Sequence, residues 1–247
     1  MYVNFILLYN LVRYMVIALL ISILIGIGKE VFWMAMTGFD PSVVRMSILN
    51  VRSGYDTLIK AVKNDAQSKF VDAMVPLWAC TDAQTFFNDK VKPAFDAIMK
   101  SAATTFESVM NAMNDAAAAW AAATDTPYEK VEFTPFTGEL ITSGIKENID
   151  GVRGIDGAAA TEVIAVLSDI QASAESGLDA AKSAVTNCGF VGGDQAANLS
   201  ASLDSIKTNI SNSVTELTTG ANAAMEATIQ AYGTIESNVS SAFVAGE

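Results

Sequence analysis

The chain has no histidine at all in 247 residues. That removes the commonest general base, the commonest metal ligand and every Ser-His or Cys-His nucleophile arrangement. Basic residues are also scarce, 15 against 27 acidic, for a net charge of -12. Nucleic-acid binding wants basic stripes, and docking on an anionic membrane surface wants a basic patch. Neither fits this balance. The two cysteines, Cys80 and Cys188, have no C-x-x-C spacing, so a zinc site is not expected. Only five prolines are present. With so few breakers and with Ala, Ser and Thr dominant after Ser42, the composition favours long helices.

What is present falls into four stretches. Residues 1–33 form a hydrophobic segment broken by Arg13, and the uninterrupted run is Tyr14 to Gly28. That run is shorter than the roughly 20 apolar residues a spanning helix needs. Three readings stay open: a transmembrane helix over residues 5–28, a signal sequence without an A-x-A-like cleavage site, or translated leader. The third rests on Lys29-Glu30-Val31, whose codons can spell a bacterial ribosome-binding sequence just before Met34 or Met36. A native peptide from residues 1–28 would rule it out.

Residues 38–125 read as a helical hairpin. Val44, Ile48, Val51, Tyr55, Leu58 and Val62 alternate spacings of four and three, and Phe70 and Met74 extend the stripe. Pro76 should end this helix. Thr81 to Gln84 gives a capping-box pattern with Thr81 at the cap. The second stripe is Phe87, Val91, Ile98, Ala102, Phe106, Val109, Met113 and Trp120, with an expected kink at Pro93.

Residues 126–147, with Pro127, Phe133-Thr134-Pro135-Phe136 and Gly138, read as an extended linker with surface aromatics. Residues 148–245 then repeat the hairpin. One stripe is Val163, Leu167, Ile170, Ala174, Leu178, Ala181 and Val185. A breaker-rich turn at 187–193 leads to another, from Leu199 through Leu203, Ile210, Met225 and Ile229 to Tyr232. At an offset of 112, Trp78-Ala79-Cys80 falls on Phe190-Val191-Gly192, Val91 on Leu203, Ile98 on Ile210, Met113 on Met225 and Trp120 on Tyr232. The expected fold is all-α: two long antiparallel hairpins forming a four-helix bundle behind an N-terminal hydrophobic segment.

A helix, a turn holding W-x-G, and a second helix ending near Y-x-x-x-D/E resembles the small WXG-motif proteins of type VII secretion. The likeness covers roughly 42–125 and 151–240. The first turn reads Trp78-Ala79-Cys80, with Cys in place of Gly. The second reads Phe190-Val191-Gly192, with Phe in place of Trp. Tyr232 to Glu236 matches Y-x-x-x-D/E. The resemblance implies that two hairpins pair antiparallel, with the turn of one beside the C-terminal end of the other as a composite secretion signal. Trp78, Cys80, Phe190, Gly192, Tyr232 and Glu236 are then its recognition residues. Trp78 would sit near Tyr232 and Glu236, and Cys80 and Cys188 would lie at opposite ends, beyond disulfide reach.

The expected function is non-enzymatic, with no cofactor and no metal. The expected partner is a protein, either secretion machinery or another helix, with a homo-oligomer also open. The protein would be secreted or on the surface of a bacterium. Two alternatives remain. One is a helical ectodomain anchored by residues 5–28, which requires a membrane-bound pool on fractionation. The other is a structural protein of a phage or surface assembly, which requires ordered assemblies in electron micrographs.

Overall fold

The structure, a computed structural model, describes residues 40–188 and 194–244. The hydrophobic segment 1–33 and the turn residues Phe190 and Gly192 lie outside them. The described chain is mostly helical, and its one sheet has two short strands.

Helix α1, Pro41–Ile59, runs on through a π-helical stretch, Lys60–Val71, to a closing α-turn, Asp72–Met74. The anticipated stripe is its buried face: Val44, Ile48, Val51, Tyr55, Leu58, Val62, Phe70 and Met74 are all at most 1% exposed. Pro76 follows the last turn, as its missing N–H requires. Strand β1, Trp78–Ala79, leads into α2, Thr81–Phe86. The anticipated kink at Pro93 takes the form of a wider helix. A second π-helical stretch, Phe87–Val91, closes with Lys92 N–H bonded to the Phe87 carbonyl, five residues back. Proline cannot donate the next bond, and the wider register absorbs that loss before α3, Lys92–Ala123, resumes. The two π stretches place Phe70 and Phe87 in a stack, 5.5 Å between ring centroids.

Strand β2, Gly154–Ile155, pairs antiparallel with β1, Trp78 opposite Ile155 and Ala79 opposite Gly154. Helix α4, Gly157–Thr186, starts there, capped by Asp156, whose carboxylate accepts from Ala159 N–H at 3.1 Å. Helix α5, Asp194–Val244, is the longest. Helix α1 packs on α3 and α4, and α5 packs on α4 and α3, so contacts close in a ring. Because α4 begins beside the end of the first helical arm, it runs antiparallel to α1. Gly54 of α1 and Gly177 of α4 meet backbone to backbone, and Lys182–Asp204 and Lys207–Asp179 ion pairs bridge α4 and α5.

The linker is a strap rather than a surface loop. From Thr124 to Asp156 it runs back along the α1–α3 groove and buries Val131, Leu140, Ile141 and Ile145. Its aromatics, expected on the surface, are half-buried in that groove. Phe133 packs edge-on against Tyr55 at 4.9 Å, and Lys63 lies 4.4 Å over the Phe136 ring. An extended chain without a strand partner must satisfy its backbone groups otherwise. Side chains of the helices do this. Asn114 bonds both the N–H and the carbonyl of Val131, each at 2.9 Å. Tyr55 Oη accepts from Phe136 N–H at 3.1 Å, and Gln67 Oε1 accepts from Thr142 N–H at 2.8 Å.

Tyr55 also makes the fold alkali-sensitive. Burial, above all, raises its pKa, the hydrogen bond from Phe136 N–H lowers it, and Asp56 raises it. The net direction is upward from 10.0. The unfolded chain therefore loses this proton first. Stability from Tyr55 is full below about pH 10 and falls as pH rises through its folded pKa. Unfolding midpoints measured from pH 8 to 11 should drop above 10 in the native chain and drop less in Tyr55→Phe. Equal slopes would show that Tyr55 titrates freely.

Candidate functional site

The resemblance centres on the first turn, and its geometry starts from Cys80. The residue is extended, φ -164° and ψ 169°, a conformation open to any L-residue, so no glycine is needed there. Cys80, not Thr81, is the cap. Its Sγ accepts from Ala83 N–H at 3.3 Å, and its carbonyl accepts from Gln84 N–H. The expected cap was thus one residue late, because a thiol is a weak acceptor and does not read as a capping residue. Trp78 is fully buried among Phe86 and Phe87, at 6.2 and 6.3 Å between centroids. Its Nε1 has no hydrogen-bond partner among the described residues. An enclosed Trp78 can influence a docking surface only by holding the turn in place.

The turn faces the far part of α5. A cleft of about 370 Å³ lies between Cys80, Thr81 and Asp82 of the turn, Arg153 of the strap, and Thr228, Tyr232 and Ile235 of α5. Arg153 pairs with Glu147, which also accepts from Thr81 Oγ1. Tyr232 is half-buried here, and its pKa is raised, first by desolvation and then by Cys80, with Arg153 opposing and Asp82 adding. The structure therefore places Cys80 and Tyr232 on one cleft, whereas the resemblance implied Trp78 beside Tyr232 and Glu236. Trp78 lies beneath the surface of that site. Glu236, a helical turn beyond Tyr232, is exposed.

Past Thr228 the apolar stripe leaves the helical core. Ile229 was expected to be buried and is 42% exposed, and Ile235, Val239 and Phe243 are 56%, 50% and 77% exposed. At 100° per residue, Tyr232, Ile235, Glu236, Val239 and Phe243 share one face. Between 229 and 244 the only charged residue is Glu236. Among the described residues the first turn reaches α5 only as far as Tyr232 and Ile235, and Val239 and Phe243 lie beyond it.

Cys188 is buried after the end of α4, and Cys80 is beside the strand before α4. A 30-residue helix at about 1.5 Å per residue separates them by about 45 Å, too far for a bridge within the chain. Among the described residues there is no group of three or more potential metal ligands, and no helix is long and apolar enough to cross a membrane. Residues missed by sequence reasoning are Asn114, Gln67 and Arg153. Asn114 alone left a trace, a polar residue beside the buried stripe position Met113. The chain matches no known family, no curated protein and no solved structure.

Proposed function

We propose that this protein is a non-enzymatic, secreted interaction protein of the type VII class, working as effector, partner or export adaptor through a four-helix bundle. Its recognition surface is the far end of α5 together with the first turn. One observation carries the reading: the Tyr232–Glu236 pattern begins at the first turn's cleft and continues into an apolar stripe, Val239 and Phe243, that is exposed among the described residues. A stripe of this kind, rimmed by polar residues, is what a partner groove takes up. Trp78 and Cys80 support it by fixing the turn. Phe190 and Gly192 are proposed to do the same at the other turn.

Two related hairpins fit this role. At the 112-residue offset Val91 and Leu203, Ile98 and Ile210, and Met113 and Met225 are buried in pairs and Trp120 and Tyr232 are both half-buried, whereas buried Phe87 falls on half-buried Leu199. The pairing of one hairpin's turn with the other's C-terminal end is then an intramolecular counterpart of a dimer of hairpins.

The test is export of the full chain from its native host. Tyr232→Ala combined with Glu236→Ala should reduce secreted protein at least about tenfold, with cellular protein and helical circular dichroism unchanged. Glu236 is exposed and Tyr232 lies at the rim, so the fold should tolerate the change. Undiminished export would defeat the proposal.

A further inference from the structure

The exposed end of α5 carries an apolar pattern that is symmetrical about its own centre. Val239 is 50% exposed, and four residues to either side lie Ile235, 56% exposed, and Phe243, 77% exposed. At 100° per residue the three share one face. Three residues to either side of Val239 lie Glu236 and Ala242. At the near end of the stripe, Ile235 is also a wall of the cleft of about 370 Å³ beside the first turn. A cavity of about 150 Å³ already takes a benzene ring, so this cleft has room for an aromatic side chain.

We propose that a second copy of this chain pairs antiparallel along the stripe. Val239 then meets Val239 on a two-fold axis, and Phe243 of each copy lies beside Ile235 of the other, at the mouth of its cleft. The symmetry of the pattern is what identifies the partner. An unrelated helix or a lipid surface needs an apolar stripe, but not one that reads the same in both directions and ends at a cleft. A two-fold contact needs both, since one patch must complement itself.

Antiparallel order follows from charge and volume. It sets Glu236 against the small Ala242. Parallel order would set Glu236 against Glu236, and would stack the two Phe243 rings on each other, away from either cleft. Antiparallel order also leaves room for both first turns. Ile235 of one copy lies opposite Phe243 of the other, so the two Ile235 are eight positions apart along the pairing, about 12 Å. Three apolar side chains per copy make a small contact, of the weak and concentration-dependent kind. The proposal rests on the reading of this face as a docking surface and adds its regulation: pairing masks the stripe that a single copy offers to an export partner.

The experiment is site-directed cross-linking of the purified full chain with a short bifunctional maleimide. Cys80 and Cys188 are buried, so engineered cysteines react first. Val239→Cys should cross-link at least about tenfold faster than Ser237→Cys, which lies on the opposite face of the same turn. A mixture of Ile235→Cys and Phe243→Cys chains should give mixed dimers in excess of either like pair. Adding Val239→Asp to both chains, which puts two carboxylates on the axis, should cut the mixed yield at least about tenfold. All these positions are exposed on α5, so helical circular dichroism should stay native. Position 239 reacting no faster than 237 would overturn the proposal, whether the stripe is bare or covered by another part of the chain. An excess of dimers joined at 235–235 or 243–243 would overturn it as well. Export plays no part in these readouts, so the self-pairing can fail while the export reading stands, and the reverse.

Discussion

Gly177→Leu is expected to destabilise the protein by about 3 kcal/mol or more. A Cβ on Gly177 would lie 2.5 Å from the Gly54 carbonyl oxygen and 3.1 Å from Leu58 N. A Cβ on Gly54 would meet the Gly177 carbonyl at 2.5 Å and the Ala181 Cβ at 2.9 Å. These obstacles are mostly backbone, so no rotamer change relieves them. The helices would have to separate, opening the seam at Val51, Leu58, Ala174 and Leu178, all at most 1% exposed. Such close-packed contacts lose much of their dispersion energy over gaps below an ångström. Urea unfolding gives the measurement. Gly233→Ala is the control, because nothing lies within 4 Å of that position on exposed helix. It should stabilise by about 0.5–1 kcal/mol through helix propensity alone. If Gly177→Leu unfolds at the native midpoint, α1 and α4 do not approach this closely.

Asn114→Leu is expected to cost about 3 kcal/mol and to release the strap locally. The side chain is 3% exposed. Its Oδ1 accepts from Val131 N–H and from Tyr128 Oη–H, and its Nδ2 donates to the Val131 carbonyl, all at 2.9 Å. Leucine fills similar space but leaves both Val131 backbone groups buried and unpaired, at about 1–3 kcal/mol each. Hydrogen exchange resolves the effect by residue. The Val131 amide should lose protection in the variant, while the Phe136 amide, held separately by Tyr55, keeps more of it. A Val131 amide as protected as in the native chain would mean that something other than Asn114 holds it.

Much of the helical plan is legible in the sequence. The stripe from Val44 to Met74 is buried throughout because a 3.6-residue period has only one way to turn its apolar face inward. Pro76 and Pro93 mark real disturbances of the helix because a missing N–H acts locally. The departures also have local causes. Cys80 carries no capping signature in the sequence, since sulfur seldom plays that part. Ile229 is exposed although it continues the stripe, because periodicity runs past the point where a partner surface ends. The strap aromatics are half-buried because their seat, formed by Tyr55, Phe106 and Lys63, is assembled from two helices.

For the candidate site, Tyr232 and Glu236 were readable as a pattern, and Cys80 and Trp78 as a turn. Their proximity was an inference from resemblance. Tertiary structure supplied the cleft, the burial of Trp78 and the contribution of Arg153, which lies 73 positions from Cys80 in the chain.

The sequence by itself determined the helices, their apolar faces, the places where they stop and the absence of histidine chemistry, because each depends on residues a few positions apart. Only the tertiary structure decided the direction of the strap. That direction makes α4 run antiparallel to α1 and sets Tyr232 beside Cys80. It depends on hydrogen bonds between the side chains of Asn114, Tyr55 and Gln67 and backbone groups 17 to 81 residues away, two of them backbone N–H groups donating to Tyr55 and Gln67, and no local pattern encodes contacts at such separations.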